Sequence, residues 1–412
     1  MSNRKHHYFL IFACSLVWTI MMGSKNIYTA EYIEISKLFA VDKPQASLAM
    51  TFYFITYSIA QIILFFYMDK INIKWYMLIS VGLSGIVTVL VAIATGLWQL
   101  WWILAINGIL QAGIWGMCTA LLNMYLPVKL KATANMLMNI GMAIAGIISY
   151  GSASLFVSFK RIDSPFTFFG IILSISAVLL FIAVQNCEKL KKDNNNSINN
   201  NAQVYQIVKT PFTLKTSKSK AIFYIISFAL SFVIHFVFYG TLNWIPNMLQ
   251  ENFAFEERTA ILISVLAPLA TIFGAIIAIR HCEKHSNFVV VGLIYLFFAT
   301  IFSLVMVFVF NISPILSLII LIIYLIIIQG AVTMVFSVMS YKLYGYINAG
   351  AHSGLMNAAG GFSAGFAPPI VGAIIENNGW QFSYLIIFAI TLAVTISVFA
   401  VLFFIRKRSE II

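Results

Sequence analysis

Twelve long apolar runs limit what this chain can fold into more than any other feature of its 412 residues. An α-helix of about 20 apolar residues crosses the hydrocarbon core of a bilayer, and each run reaches that length. We therefore predict an all-α integral membrane protein with twelve transmembrane helices. The runs cover residues 8–38, 45–68, 75–95, 97–126, 132–157 and 165–185, and then 221–249, 257–279, 287–310, 315–343, 350–375 and 381–404.

The composition favours lipid rather than water as the surrounding medium. Hydrophobic residues make up 61% of the chain and charged residues only 9%, whereas soluble proteins have roughly 25% charged residues. The four cysteines lie far apart, without metal-ligand spacing. No phosphate-binding loop of the type GxxxxGK(S/T) occurs. The sequence therefore predicts a protein that is not an enzyme and that uses no metal and no cofactor.

Lysine and arginine residues are distributed unequally between the two ends of the predicted helices. Of the 25 such residues, 19 fall on the set of ends that includes both termini and the long central loop. Cytoplasmic loops of membrane proteins are enriched in Lys and Arg. We therefore predict a multi-pass protein of the cell membrane with both termini in the cytoplasm. The net charge of +12 follows from this topology and does not indicate a nucleic-acid partner.

The chain divides near its middle. Residues 187–220 are rich in Asn and Lys, and such a polar stretch cannot bury enough apolar surface to fold. The predicted organisation is therefore a six-helix bundle at 1–186, a cytoplasmic linker at 187–220 and a second six-helix bundle at 221–412.

Two short matches indicate that the halves are duplicated. The tripeptide Leu-Met-Asn at 137–139 recurs at 355–357, and Gln111 corresponds to Gln329 by the same shift of 218 residues. Two matches at one shift, on corresponding helices, predict two pseudo-symmetric bundles. Secondary transporters built from such repeats bind their solute near the middle of the membrane.

Few charged side chains lie inside the predicted helices, and these are the main candidates for function. A charge at the centre of a bilayer costs at least about 2.5 kcal/mol, so such residues usually have a role. We predict that Lys25 recognises the charge of a substrate, with Tyr28 beside it on the helix. Glu31 or His235 is predicted to carry a coupling proton. The alternative is that the first span ends near Ser24 and that Lys25 and Glu31 are solvated.

Uncharged polar residues extend this candidate substrate site. His235, Tyr239 and Asn243 follow one another at four-residue spacing, which places them along one helix face. Asn139 and Asn357 are related by the duplication and are predicted to line the same cavity. Hydrogen bonding between helices is the structural alternative for both asparagines. For His235, the alternative is a satisfied structural role.

Two segments are predicted to take part in conformational change. Residues 349–373 contain 15 Gly, Ala or Ser residues, and small residues let helix backbones approach closely. Static close packing is the alternative for this segment. The loop after the second span combines an acidic residue with two lysines and is predicted to hold neighbouring helix ends. The gating candidates are Asp69, Lys70, Lys74, Gly360, Gly361 and Gly365.

That loop and four further segments carry a resemblance to a known family. Asp69, Lys70, Asn72 and Lys74 fit the pattern G-x-x-x-D-(R/K)-x-(G/N)-x-(R/K) after the second span, with Phe65 in place of its glycine. The pattern is typical of the major facilitator superfamily. Within it, the chain resembles the organophosphate:phosphate antiporters and the neighbouring anion:cation symporters. The matching segments are Ser-Lys-Asn at 24–26, then Gln111, Trp115 and Cys118, residues 239–246, and Gly379-Trp380.

The resemblance implies the superfamily fold, but the phosphate-binding residues of those antiporters are changed. The antiporters hold phosphate with two arginines, and the corresponding positions here are Ser24 and Phe238. Their histidine and aspartate correspond to Met142 and Asn243, so that only Lys25 is retained. A single lysine does not reproduce bidentate recognition of phosphate by arginine.

We therefore expect a secondary active transporter that moves a small organic solute, such as an organic acid, a sugar acid or a phosphate ester. Its expected partners are this substrate, a coupling ion or an exchanged anion, and the lipid bilayer. The resemblance implies a monomer. The alternative is a membrane sensor that has the same fold and binds an extracellular solute without transporting it.

Overall fold

The computed structural model describes residues 2–67, 70–158, 163–195, 218–285, 287–310, 312–339 and 349–409. In these ranges the chain is helical and has no β-strand. The first helices are α1 (Ser2–Ala30), α2 (Tyr32–Phe39), α3 (Lys43–Tyr67), α4 (Ile73–Val91), α5 (Leu97–Gln111), α6 (Ile114–Tyr125), α7 (Val128–Ser158) and α8 (Asp163–Asn195). Then follow α9 (Lys218–Leu242), α10 (Ile245–Glu251), α11 (Glu257–Ile263), α12 (Leu266–His285), α13 (Phe288–Val309), α14 (Pro314–Thr333), a π-helical turn (Met334–Val338) and α15 (Ala349–Ser409).

The predicted number of transmembrane helices is confirmed. In the described part of the chain, ten helices are long and apolar enough to cross a membrane. The fifth predicted span corresponds to a shorter apolar helix, Ile140–Leu155, within α7. The last candidate, Gly354–Ala400, is 47 residues long and is broken at Gly379, where φ is 81° and ψ is 171°. Because about 20 residues cross a bilayer, this long helix contains two spans.

The chain forms two compact units. The first contains Met1–Glu34 and Ile55–Thr213, and the second contains Ile35–Phe54 and Leu214–Ile412. Residues 35–54 thus group with the second unit, although they precede the predicted linker in the sequence.

In the first unit, α1 packs on α7 and α8, and α4 packs on α5 and α8. Two glycines set the distance between α4 and α8. A Cβ atom on Gly85 would lie 2.6 Å from the carbonyl oxygen of Gly170, and a Cβ atom on Gly170 would lie 2.6 Å from that of Gly85. The two backbones therefore touch, which only glycine permits at both positions.

The second unit repeats features of this packing. Its α9 packs on α15, its α12 packs on α14, and its α13 packs on α14 and α15. In the first unit, Ser149 Oγ of α7 donates a hydrogen bond to the Gly23 carbonyl of α1 at 3.0 Å. In the second, Ser363 Oγ of α15 donates to the Phe232 carbonyl of α9 at 2.6 Å. The same kind of serine contact therefore joins the corresponding pair of helices in each unit, which agrees with the predicted duplication.

Candidate functional site

The first unit brings a charged cluster together at the end of α1. Ser24 is buried, and its Oγ donates to the Met21 carbonyl at 2.8 Å. Lys25 is half-buried in α1. Because a charge in a membrane is costly, its retention on a transmembrane helix favours a functional role.

Glu31 lies at a turn that separates α1 from α2. Its backbone N–H still donates to the Ile27 carbonyl at 3.0 Å, so the helical register continues to this residue. The side chain is only 1% exposed. The predicted continuous first helix is therefore interrupted here, and the alternative of a solvated carboxylate does not fit the structure. A carboxyl group at this position is inside the protein.

Aromatic side chains surround this end of α1. The ring of Tyr28 meets that of Tyr32 edge-on, with centroids 5.7 Å apart, and it lies 6.4 Å from that of Phe166. Tyr28 and Tyr32 are each 1% exposed. Tyr28 and Glu31 are therefore both buried near the end of α1, and their roles in substrate binding and proton coupling stay predictions.

A buried hydrogen-bonded network connects this cluster to α4 and α5. Gln111 Nε2 donates to Ser84 Oγ at 2.8 Å, to Asn107 Oδ1 at 3.2 Å and to Ser24 Oγ at 3.5 Å. Ser84 Oγ donates to Asn107 Oδ1 at 2.6 Å, and Asn107 Nδ2 donates to Thr88 Oγ1 at 3.2 Å. Ser24 is the position at which the resemblance to the antiporters implies a phosphate-binding arginine. In this chain that position is instead part of a network of uncharged polar groups.

Two residues near this network form an aromatic pair. The rings of Trp18 in α1 and Trp115 in α6 have centroids 4.6 Å apart, at an angle of 53°. Trp18 is buried, while Trp115 keeps part of its surface accessible. Sequence spacing did not predict this pair or the role of Gln111, because both depend on how three separate helices are rotated against one another.

The second unit contains an uncharged polar cluster that is centred on His235 in α9. His235 is 5% exposed. Its Nδ1 lies 2.8 Å from the Ser231 carbonyl oxygen and 3.3 Å from Ser231 Oγ. A carbonyl oxygen only accepts hydrogen bonds, so Nδ1 carries a proton, and Nε2 is an acceptor whenever the ring is neutral.

Tyr239 stacks on His235, and Asn243 lies directly after the end of α9. The His235 and Tyr239 rings are stacked at 6.1 Å and 25°, and the Tyr239 ring lies 6.3 Å from that of Phe54. Asn243 is buried directly after the end of α9, and its N–H donates to the Tyr239 carbonyl at 3.2 Å. Phe54 belongs to α3, and its contact with Tyr239 was not predicted.

Two of the predicted glycines of α15, Gly360 and Gly365, lie against the same cluster. A Cβ atom on Gly360 would lie 3.1 Å from His235 Cδ2 and 3.2 Å from His235 Nε2, so the absence of a side chain makes room for the imidazole. The carbonyl oxygen of Gly365 accepts a hydrogen bond from Thr51 Oγ1 at 2.6 Å. Gly361 is buried, and Asn357 is half-buried on the same helix.

The loop predicted to hold helix ends is described only in part. Asp69 lies outside the described residues, as does the side chain of Asn139. Lys70 is exposed, with its Nζ 5.5 Å from the centroid of the Tyr67 ring. Lys74 Nζ forms an ion pair of 2.6 Å with Glu188 Oε2 on α8. Lys74 therefore contacts the end of a neighbouring helix, while its role in gating stays a prediction.

Comparison with known proteins defines the class to which this fold belongs. Residues 9–364 match the Major Facilitator Superfamily. This match covers well over half of the chain, and the protein belongs to that superfamily. Among curated proteins, none matches the sequence.

Solved structures with similar folds are membrane transporters. A D-xylose-proton symporter superposes with a TM-score of 0.75 at 11% identity, over 95% of this chain and 97% of its own. A bacterial homologue of the human lysosomal transporter Spinster, in an inward-facing and unoccupied conformation, gives a TM-score of 0.69 at 15% identity and covers 96% of both chains. The nucleoside transporter NupG gives 0.64 at 16% identity, over 96% of this chain and 98% of its own. At these identities the likeness shows the shared fold.

Proposed function

We propose that this protein is a secondary active transporter that moves a small organic anion across the cell membrane by alternating access. The observation that carries the proposal is Lys25, a half-buried cation on a transmembrane helix. Ser24 precedes it and Tyr28 follows it in α1, and both carry hydroxyl groups. Ser24 in turn contacts the amide of Gln111. A site that combines one cation with neutral hydrogen-bond donors suits an organic acid or a sugar acid better than a phosphate dianion.

Further substrate contacts are assigned to the uncharged polar residues. His235 offers Nε2 as an acceptor, Tyr239 offers a phenol next to it, and Asn243 offers an amide at the end of α9. Asn139 and Asn357 complete the proposed set. These groups recognise hydroxyl or carbonyl groups rather than net charge, so they select the shape of the substrate while Lys25 selects its charge.

Glu31 is the stronger candidate for a coupling proton. Its carboxyl group is buried at the turn that ends α1, a few residues beyond Lys25. A buried carboxyl group that gains or loses a proton changes the charge of the cluster, and this change alters the affinity for an anion at Lys25. His235 is the second candidate, because its Nδ1 is already engaged by Ser231 while Nε2 can accept a proton.

The proposal includes the topology that the Lys and Arg distribution predicts, with both termini in the cytoplasm, and a monomer in the cell membrane. A proton-coupled symport and an exchange of two anions are both compatible with it. Neither requires a cofactor, a metal or a catalytic residue.

Counterflow in proteoliposomes tests the proposal, since it requires no gradient of a driving ion. Vesicles loaded with one of a panel of sugar acids, monocarboxylates, phosphate esters and neutral sugars are diluted into the labelled compound. Accumulation of labelled anions is the expected result, with neutral sugars as the matched control. Binding of an anion by purified protein that shows no counterflow contradicts transport and supports the sensor. Exchange of neutral sugars alone contradicts charge recognition by Lys25.

A further inference from the structure

Residues 35–54 are held to helices of the second unit by charged groups at one end. Lys43 Nζ forms an ion pair of 3.0 Å with Glu251 Oε2, at the end of α10. The backbone N–H of Lys43 also donates to Glu376 Oε2 of α15 at 3.2 Å. Glu251 Oε2 accepts a further hydrogen bond from Trp380 Nε1 at 3.3 Å. One lysine at the start of α3 is therefore bound by acidic residues from two helices.

A second ion pair lies nearby in the sequence. Lys37 Nζ in α2 is 3.5 Å from Glu257 Oε2, in the first turn of α11. The Lys37 side chain is 59% exposed, whereas that of Lys43 is only 21% exposed. Both pairs lie on the side of the membrane that the Lys and Arg distribution predicts to be external.

Further along α3, uncharged contacts replace these charges. Thr51 Oγ1 donates to the Gly365 carbonyl at 2.6 Å, and Phe54 packs against Tyr239. The segment thus runs from ion pairs at its outer end to the aromatic ring that stacks on His235. Through Phe54, the segment contacts the uncharged polar cluster.

We propose that Lys37 and Lys43 form an outer latch with Glu251, Glu257 and Glu376, which closes external access to the His235–Tyr239 cluster and must open in each transport cycle. The segment leaves the first unit at Glu34, three residues after the turn at Glu31. The inference rests on the proposed alternating access.

The physical character of the latch suits reversible opening. Ion pairs that remain partly exposed each change an equilibrium by only about two- to five-fold and weaken as salt rises. A few weak contacts can therefore hold the segment closed without trapping it. The buried hydrogen bond and ring contact near Tyr239 depend less on salt, so the outer end opens first.

Site-directed labelling tests the latch in the full chain without any substrate. The reporter is Phe54→Cys, because Phe54 is 7% exposed beneath the latch. The four native cysteines are buried, so the unmodified chain defines the background. Labelling by a membrane-impermeant maleimide added outside is expected to accelerate about two- to five-fold when Lys43→Glu is combined with the reporter. The charge swap Lys43→Glu with Glu251→Lys is expected to restore most of the slow rate.

Glu256→Gln is the matched control, since Glu256 is exposed and precedes Glu257 in the sequence. Its labelling rate is expected to match that of the reporter alone. If Lys43→Glu does not fold, the reporter alone at high salt gives the same test, with faster labelling expected. Labelling that is independent of both salt and Lys43, or a swap that restores nothing, overturns the latch. Because the labelling uses no substrate, its result can be interpreted even if the protein shows no counterflow.

Discussion

The two compact units share a packing pattern but differ in the polar groups that they enclose. In the first unit, the predicted site residues include a cation and a carboxyl group, Lys25 and Glu31, next to a network of amides and hydroxyls. In the second unit, the predicted site residues His235, Tyr239 and Asn243 are an imidazole, a phenol and an amide. Duplication of a scaffold therefore does not require duplication of its chemistry. We infer that charge recognition belongs to the first unit and neutral contacts to the second.

The largest expected effect comes from removing the cation of the first unit. Lys25→Ala deletes a charge-assisted contact that contributes about 1.5–3 kcal/mol, so affinity for an anionic substrate should fall roughly 10- to 100-fold. The measurement is ligand binding by purified protein, with folding checked by size-exclusion chromatography. Lys189→Ala, which removes an exposed lysine on α8, is the control. Unchanged affinity in Lys25→Ala would contradict the proposal that Lys25 recognises the charge of the substrate.

A second experiment separates binding from coupling. Glu31→Gln keeps the size of a buried side chain and removes its ability to lose a proton. We expect exchange of substrate in counterflow to persist, while accumulation driven by a pH gradient is lost. Transport assays on the same vesicles measure both quantities. If gradient-driven uptake survives in Glu31→Gln and disappears in His235→Gln, the coupling role moves to the second unit.

The close packing of Gly360 against His235 is expected to tolerate no added side chain. Gly360→Ala places a methyl group 3.1–3.2 Å from the imidazole, and such overpacking costs about 1–3 kcal/mol of unfolding free energy. The melting temperature in detergent should fall accordingly. The double variant Gly360→Ala with His235→Ala should recover most of this loss, because the ring is gone. Gly151→Ala is the control, since a Cβ atom there meets nothing within 4 Å.

The smallest expected effect tests the similarity of the units rather than their difference. Ser149→Ala and Ser363→Ala each remove one hydroxyl that donates to a carbonyl on the neighbouring helix. Each change should cost about 1 kcal/mol of stability, and the two costs should be similar. Thermal unfolding of the two variants in one detergent makes the comparison. A large cost for one serine alone would show that the repeated contact is unequal in strength.

Much of the fold can be predicted from the sequence, because the features that determine it lie in short stretches of the chain. Each apolar run is long enough for one crossing, and Gly379 separates the last two crossings inside one long helix. The row of His235, Tyr239 and Asn243 also follows from helical spacing alone. These features depend on residues that are close in the chain.

Features that depend on distant helices could not be predicted in this way. Gln111 was visible in the sequence as a repeated residue and as part of the family resemblance, but its bonds to Ser84 and Ser24 require a particular rotation of α1, α4 and α5. The grouping of residues 35–54 with the second unit was also hidden, because sequence order places them in the first half. The ion pair between Lys43 and Glu251 joins positions that no spacing rule connects.

The touching backbones at Gly85 and Gly170 have a mechanical consequence. Packed helices slide past one another by small rotamer changes in the side chains between them, and at this crossing the two backbones meet directly, with Ser174 and Val89 beside them. The two helices, α4 and α8, therefore form a stiff pair that shares one motion. Rearrangement within the first unit must occur at other helix contacts. Backbone amides on both sides of the crossing should accordingly exchange their hydrogens with solvent at similar, slow rates.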